Sequence, residues 1–425
     1  MNNFFVSKNL LYYFAFLLLV LVSWTNPDDM PPTSLRIIYL FVLMVPTMLW
    51  APKVMPIVIT LFYIVSNYSC YISYMPNQVV LYVLFPLVAI LNNSSTQSNR
   101  IPFIFILLMP YTLVGNMCGA ASFEPITACL ILMMMFVKLA PVKDNHYVHL
   151  FSYTLILSSL ILGLQFIIEG KQFQQSVGYG DFDSRTQWMD PNYFGCVVGI
   201  GAITALIEAL LNNTLSKKIR YLFFAIYVFL CVILIINASR GALLAVLCSS
   251  VIILFLSDIS VKIKVSALIC IFSFLYVMYI YGVFDFLLLR MELDEGHGGS
   301  GRTEIWARKI EAYSQLGLSD QLFGVGYQNG MRLGYNYLRG FHNDYIAFLV
   351  EYGICGLIAY ISFMFSILKN AKNFWIVFAI VVYVVITGAT LEPISGGMLA
   401  YFCFLFYGKL IAQTDDFRKT PSLAR

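Results

Sequence analysis

Long apolar runs follow one another from residue 9 to residue 412, and they constrain the fold more than any other feature of the chain. A membrane-spanning helix needs about 20 mostly apolar residues. The runs are continuous rather than alternating, which favours helices over a β-barrel. Only 11% of the residues are charged and 60% are hydrophobic, whereas a soluble domain has about 25% charged residues. The sequence therefore predicts an all-α, polytopic membrane bundle and excludes a soluble, disordered or fibrous protein.

We expect about 14 spans, or about 12 if some pairs of runs are re-entrant. The runs lie at about 9–25, 35–51, 54–74, 77–92, 101–117, 120–137, 149–168, 193–211, 221–238, 241–257, 263–284, 343–367, 374–390 and 396–412. We interpret the first run as a span rather than a signal peptide, because no small-residue cleavage site follows it. The predicted organisation is N-terminal transmembrane helices over 1–170, a second transmembrane unit over 171–412, and a polar tail over 413–425.

The distribution of Lys and Arg predicts the orientation of the bundle. The short connections on the side of the N-terminus each carry at least one positive charge, which places both termini in the cytoplasm. Two longer polar loops, 169–192 and 285–341, then lie on the outer face. Long loops in compact proteins are usually functional. Within the second loop, residues 302–315 have the pattern of a short helix at an interface, with apolar positions at Ile305, Trp306, Ile310 and Tyr313.

Two arginines on the outer face are candidates for binding an anion. Arg240 lies in a tight hairpin between two spans, where its guanidinium could grip a phosphate with two parallel hydrogen bonds. The alternative is an arginine that extends from the end of a span into the headgroups. Arg302 follows the glycine-rich stretch 296–301 and opens the predicted loop helix together with Glu304. The alternative for Arg302 is an ordinary solvated loop charge.

His342 is the candidate general base, because it stands where the long outer loop meets a span and because histidine titrates near neutral pH. A purely structural role is the alternative. Arg185 precedes the Asp190-Pro191-Asn192 turn, in which proline is suited to start a helix; solvated charges at a helix entry are the alternative there. We expect His146 and His149 to be solvated in a cytoplasmic connection. The four histidines and the dispersed acids form no convincing metal site.

Several of these residues occur in an ordered set of motifs. His342-Asn343, nine further residues and then Gly353-Ile354-Cys355-Gly356 form an H-N-x9-G-x-x-G pattern. This pattern resembles the signature of the O-antigen ligase and O-antigen polymerase superfamily of bacterial inner membranes. Other segments resemble parts of the same family: the hairpin around Arg240, Arg302 with Trp306, Asp190–Phe194, and the turn Gly324-Val325-Gly326-Tyr327 that precedes the histidine. The resemblance covers about residues 181–361.

The resemblance implies a glycosyltransferase that acts on the periplasmic face, on glycans linked to undecaprenyl diphosphate, with no metal or other cofactor. Under this reading Arg240 and Arg302 stabilise the departing diphosphate and His342 activates the acceptor hydroxyl. These three are the predicted catalytic residues. The predicted substrate-binding residues are Arg185, Arg339, Asn343 and Glu304.

Polymerase and ligase share these motifs and differ in the acceptor, which is a second lipid-linked repeat unit or the lipid A core. The Asp190–Phe194 segment and the aromatic residues of the outer loop favour the polymerase of O-antigen or a related surface polysaccharide. The implied partners are the donor and acceptor glycans, membrane lipid, a chain-length regulator and a flippase, and no nucleic acid. A transporter of lipid-linked sugars would show internal repeats and charges near mid-membrane. A scaffold would not need Arg240, Arg302 and His342 on one face.

Overall fold

The computed structural model describes residues 145–175, 191–212, 214–237, 239–256, 260–280, 282, 301–326, 329–335, 340–369, 371–391, 399–414 and 417. The six spans predicted between residues 9 and 137 lie outside the described residues, and so do Arg185, Arg339 and most of the predicted tail.

All the secondary structure in this part of the chain is helical. Its long helices are α1 (Asn145–Gln175), α2 (Pro191–Leu211), α3 (Lys217–Ile236), α4 (Arg240–Leu256) and α5 (Val261–Ile280). Two shorter helices, α6 (Arg302–Ser314) and α7 (Leu318–Phe323), and a 3₁₀ turn at Asn329–Arg332 form the described part of the outer loop. The chain continues with α8 (Asp344–Leu368), α9 (Phe374–Thr390) and α10 (Leu399–Gln413). The all-α prediction is confirmed.

The apolar runs predicted these helices closely. The run at 374–390 is α9, and α2 begins at Pro191, whose fixed φ suits the first helical position. Four of the described helices are long and apolar enough to cross a membrane: Val148–Ile168, Asn192–Leu211, Lys217–Ile236 and Asp344–Leu368. Helices Arg240–Phe255 and Phe374–Thr390 are apolar but shorter. These helices support a multi-pass membrane protein.

Helix α2 lies at the centre of the described bundle. It packs against α1, α3 and α4, and α4 in turn packs against α9. Of the apolar stretch of α2, 94% is buried, compared with 33% for α3. A helix that is apolar on all sides and buried is expected in the core of a large bundle, so α2 is the support on which the neighbouring helices are positioned.

The outer loop packs on α8 through a sharp break in that helix at Gly353, where φ is 72° and ψ is −173°. Only glycine adopts this backbone conformation without strain. The break frees the carbonyls of Val350 and Glu351, which accept hydrogen bonds from the backbone N–H groups of Val325 and Gly326. The turn at Gly324-Val325-Gly326 therefore packs directly on the part of α8 that carries the G-x-x-G motif.

A second, smaller apolar cluster lies above this break. It contains Tyr313 from α6 and Phe341, Ile346, Ala347 and Val350 from the start of α8 and the residues before it. The cluster attaches α6 to the first turns of α8. On α6, Ile310 is 47% exposed, whereas Lys309 next to it is fully buried.

Candidate active site

His342 has an unusual backbone conformation. Its φ is +50°, and within the described part of the chain it is the only residue other than glycine with a positive φ. A left-handed backbone costs a residue with a side chain on the order of 1 kcal/mol or more, and such strain is concentrated at functional sites. The side chain is half-buried. The structure therefore holds His342 in a conformation that the residues around it must enforce.

Asn343 enforces part of that conformation by capping α8. Its Oδ1 accepts hydrogen bonds from the N–H groups of Tyr345 and Ile346, at 2.9 and 3.1 Å. Its Nδ2 donates to the carbonyl of Ala389, at 3.0 Å. Asn343 thus joins the start of α8 to the end of α9, and both ends of its amide are engaged by backbone groups.

Arg302 reaches the same end of α9. Its Nη1 donates to the carbonyl of Thr390 at 2.7 Å. The last carbonyls of a helix have no partner within the helix and carry partial negative charge, so they attract a guanidinium. The acceptor is a neutral carbonyl, and this hydrogen bond orients the guanidinium without cancelling its charge.

Helix α4 also begins against the end of α9. Gly241 packs so closely on Thr390 that a Cβ at position 241 would collide with the threonine hydroxyl. Arg240, the residue before it, is the first residue of α4 and is half-buried. The hairpin that precedes Arg240 packs on the start of α2, where Gly195 lies against Ser239.

The three predicted catalytic residues therefore belong to segments that meet at one place. The end of α9, residues 389–391, is contacted by Gly241 beside Arg240, by Arg302 itself and by Asn343 beside His342. The backbone N–H of Asp344 adds a hydrogen bond to the carbonyl of Leu391, at 3.0 Å. Sequence reasoning did not identify this meeting point, because every residue has a backbone carbonyl and the sequence does not show which carbonyls lie at the site.

Phe341, which precedes His342, is held by two side chains of α6. Trp306 Nε1 donates to the Phe341 carbonyl at 2.8 Å, and the Lys309 ammonium lies 5.0 Å from the centre of the Phe341 ring. Lys309 also donates to the carbonyls of Gly330 and Met331, at 2.6 and 2.8 Å. Sequence reasoning missed Lys309. The available signal was its spacing of four residues from both Ile305 and Tyr313, which places it on the buried face of α6.

Tyr313 continues this buried face and donates a hydrogen bond to the carbonyl of Gln321, which joins α6 to α7. Burial raises the pKa of the Tyr313 phenol above its usual value near 10. The hydroxyl therefore stays protonated and remains a donor at physiological pH. Its role in the described structure is to fix the loop rather than to transfer a proton.

The remaining predicted site residues are distributed differently. Glu304 lies on the exposed face of α6 and pairs with Arg308 at 2.6 Å, in a contact between two solvated side chains that is worth little energetically. Arg185 and Arg339 lie outside the described residues. In the Asp190–Phe194 segment, Phe194 is fully buried and stacks on Phe166. Gly195, the residue after that segment, packs against Ser239 of the hairpin before Arg240.

A second polar cluster lies about 20 Å along α2 from Gly195, around the fully buried Glu208. The Glu208 carboxylate accepts hydrogen bonds from Ser152 Oγ at 2.5 Å and from Asn212 Nδ2 at 2.6 Å, and His149 Nδ1 lies 3.3 Å from it. The prediction that His149 is solvated is wrong. It lies in the first turns of α1, where a buried carboxylate one helix away supplies its partner.

No group of three or more His, Cys, Asp or Glu side chains that could hold a metal ion occurs among the residues described by the structure. The described site contains two arginine-bearing segments, one histidine, backbone carbonyls and the fully buried Asp344, whose carboxylate lies beside Gly388. The two arginines suit an anionic substrate, and the histidine can accept a proton.

Two comparisons with known proteins bear on the family. The model of the O-antigen ligase family matches residues 225–361, which include Arg240, Arg302, His342 and both motif glycines of α8. No curated protein matches the chain significantly in sequence. The family match ends before residues 389–391, so that the end of α9 completes the site from outside the matched segment. The match over residues 225–361 supports a likeness of this segment to the O-antigen ligase and O-antigen polymerase superfamily.

Proposed function

We propose that the protein is a glycosyltransferase that polymerises oligosaccharide repeat units linked to undecaprenyl diphosphate, at the periplasmic face of the bacterial inner membrane. The product is O-antigen or a related surface polysaccharide. The observation that carries the proposal is the meeting of the Arg240, Arg302 and His342 segments at the end of α9. The match of residues 225–361 to the O-antigen ligase family supports lipid-linked glycans as the general substrate class.

In the proposed reaction, a hydroxyl oxygen of the acceptor sugar attacks the anomeric carbon of the donor. A bond forms between these two atoms, and the bond from the anomeric carbon to the diphosphate oxygen breaks. The acceptor proton passes to the neutral imidazole of His342, and the electron pair of the broken bond leaves with the lipid diphosphate. No oxidant, reductant or further substrate is needed.

The two arginines stabilise the leaving group. Negative charge develops on the bridging diphosphate oxygen as the bond breaks, and fixed guanidinium donors aimed at that charge lower the barrier. Arg302 is oriented in advance by the Thr390 carbonyl. Arg240 stands at the start of α4, where the unpaired N–H groups of the first turn add to the favourable field for an anion. This arrangement supplies leaving-group stabilisation from the protein alone.

The strained backbone of His342 fits a base that has to be held in one orientation. The hydrogen bonds of Asn343 fix the position that follows His342. Trp306 and Lys309 fix Phe341, the residue that precedes His342. Effective general-base catalysis requires such positioning, because a displacement of about 1 Å can cost roughly a hundredfold in rate. Among the proposed substrate-binding residues, we therefore assign Asn343 a positioning role and place the exposed Glu304 at the margin of the site.

The ligase is the second candidate function, because the family model that matches is described as O-antigen ligase. We favour the polymerase because of the Asp190–Phe194 segment and the aromatic side chains of the outer loop, which suit the stacking of sugar rings. In the described part of that loop, Phe323 is 43% exposed and Tyr335 is half-buried, whereas Tyr313 is buried and fixes the loop.

The lipopolysaccharide of a deletion strain separates the two functions. A core that carries a single repeat unit supports the polymerase. A bare core with accumulated lipid-linked polymer supports the ligase and contradicts the polymerase. In either case, complementation with His342→Ala should fail although the protein inserts into the membrane at the level of the unmodified chain. Normal long chains in that strain would contradict the catalytic assignment.

A further inference from the structure

The proposed mechanism leaves one buried acid of the site without a role. Asp344 is the first residue of α8 and lies two residues after His342. It is fully buried, at 0% exposure. Burying a carboxylate away from water is costly unless other groups compensate for the lost hydration. A buried acid this close to the proposed base therefore calls for a physical explanation.

The Asp344 carboxylate faces the last turn of α9. A Cβ placed on Gly388 would lie 3.1 Å from Asp344 Oδ2 and 3.3 Å from the Tyr360 hydroxyl. Both oxygens therefore meet at Gly388, which has no side chain to displace them. The backbone N–H of Asp344 also donates to the carbonyl of Leu391, at 3.0 Å. The end of α9 thus defines the position of Asp344 through its backbone and through its side chain.

A fold in α8 brings Tyr360 to the same place. Tyr360 follows Phe348 by 12 residues, which along a straight helix correspond to a rise of about 18 Å. Their rings are instead stacked, with centroids 4.4 Å apart and an angle of 6° between the planes. The break at Gly353 therefore folds the second arm of α8 back on the first arm. This fold encloses the Asp344 carboxylate between the second arm and α9.

Three cations lie on the described segments around His342. Arg240 and Arg302 belong to segments that meet at the end of α9, and the Lys309 ammonium lies 5.0 Å from the ring of the residue before His342. In the proposed reaction, His342 takes up a proton and becomes an imidazolium. Nearby cations disfavour that charged form, and a nearby anion favours it. A base in these surroundings therefore benefits from a negative charge close to it.

Asp344 is the best placed acid among the described residues. On α6, Glu304 and Glu311 are exposed to solvent. Glu351 of α8 is buried, but its Cγ lies against the 3₁₀ turn of the outer loop. Asp344 lies two residues from His342, so that their Cα atoms are at most about 7.6 Å apart. Charges at such a distance in a buried site are only weakly screened.

We propose that Asp344 is a positioning residue that supplies the negative charge for the imidazolium formed on His342. The carboxylate stabilises that imidazolium while the proton is transferred, which makes His342 a more effective base. The acceptor proton still passes to His342, and Asp344 neither forms nor breaks a bond. This inference rests on the proposed function for the role of His342. It adds a residue that acts through the histidine and does not touch the substrate.

A matched pair of variants tests this role. Asp344→Asn removes the carboxylate charge at nearly constant size, and Glu351→Gln does the same at a second buried acid of α8, further along the chain from His342. Both are studied as full chains in lipid nanodiscs, with thermal unfolding as the check that they are folded.

Glycan transfer is the first measurement. For Asp344→Asn, we expect kcat to fall by about tenfold or more, with no rise in KM for the lipid-linked repeat unit, because the variant loses a negative charge that does not assist binding of an anionic donor. Glu351→Gln should keep kcat within about twofold per folded molecule. Equal losses of kcat in the two variants, or a loss in Asp344→Asn that is confined to KM, would overturn the proposal.

Nuclear magnetic resonance of nitrogen-15-labelled histidine tests the charge without turnover. The chain has four histidines, and the signal that disappears in His342→Gln belongs to His342. At about pH 6.5, near the usual midpoint of histidine titration, the ratio of imidazolium to neutral imidazole at His342 should be about fivefold or more lower in Asp344→Asn than in the unmodified chain. Glu351→Gln should change it by less than about twofold. An unchanged ratio in Asp344→Asn would overturn the proposal.

Tyr360→Phe supplies a milder change if Asp344→Asn does not fold. It keeps the ring stack on Phe348 and removes the hydroxyl beside the carboxylate, which disfavours the ionised form of Asp344. The imidazolium ratio at His342 should then fall by about twofold, and a constant ratio would overturn the proposal. The resonance measurement needs no glycan. An unmodified chain that transfers no glycan therefore contradicts the proposed function, whereas the imidazolium ratio separately decides the role of Asp344.

Discussion

Replacing Asn343 with aspartate tests whether the end of α9 positions His342. In Asn343→Asp, the Oδ1 acceptor that caps α8 remains, and an acidic cap is as good as asparagine. The Nδ2 donor to the Ala389 carbonyl is lost, and a carboxylate oxygen takes its place 3.0 Å from that carbonyl oxygen. Leaving this part-buried carbonyl without its partner costs up to about 1–3 kcal/mol. We expect the free energy of unfolding to fall by that amount.

The same chain offers a matched control at the opposite end of α9. Asn373 is equally buried, at 7% exposure against 8% for Asn343, and its Nδ2 donates to the carbonyls of Ile411 and Thr414. Asn373→Asp removes two such hydrogen bonds, so it should cost about 2–6 kcal/mol. The control is therefore expected to be the less stable variant of the two.

Activity should be lower in Asn343→Asp than in Asn373→Asp, although Asn373→Asp is expected to be the less stable variant. Asn343→Asp releases the residue next to His342, and a displaced general base loses about tenfold to a hundredfold in rate. Asn373→Asp should keep nearly full activity per folded molecule. Thermal unfolding in detergent and polymerisation of a radiolabelled lipid-linked repeat unit measure the two quantities. The loss in Asn343→Asp should appear in kcat. A rise in KM alone would indicate repulsion of the donor by the new charge, and equal losses in both variants would refute the positioning argument.

Three further outcomes are expected. Arg240→Lys should abolish polymer although it keeps the positive charge, because an ammonium cannot make two parallel hydrogen bonds to a phosphate; full chain length on lipopolysaccharide gels would contradict that role. Gly353→Ala should lower the unfolding temperature much more than Gly301→Ala. Gly301 has a left-handed backbone, for which alanine carries a penalty of about 1–2 kcal/mol, and a Cβ there meets open space. Gly353, at φ 72° and ψ −173°, lies in a region that is essentially restricted to glycine, and a Cβ there collides with the backbone of Leu322. A chelator should leave transfer by the purified protein unchanged, and inhibition that is reversed by adding a divalent cation would contradict the proposed mechanism.

The sequence predicts the helices of this chain well because their signal is local. A span such as α9 is a continuous apolar run, and the start of α2 is a proline at a position that favours proline. Lys309 and His149 show where local reasoning fails. Lys309 is buried because the carbonyls of Gly330 and Met331 lie within reach of its ammonium. The His149 side chain is only 12% exposed because Glu208 of α2 faces it. Both partners are distant in sequence, and the patterns of α6 and α1 contain no information about them.

The motif residues were recognisable, but the reason for their proximity was not. Arg302 and Asn343 are brought together by carbonyls of residues 389 and 390, and any residue type can supply a carbonyl. This choice of acceptor has a consequence for catalysis. A carboxylate would orient Arg302 equally well but would oppose the approach of a diphosphate, whereas a helix end carries only partial charge. The Thr390 carbonyl therefore orients Arg302, a proposed catalytic residue, without placing a full negative charge of its own beside the leaving group.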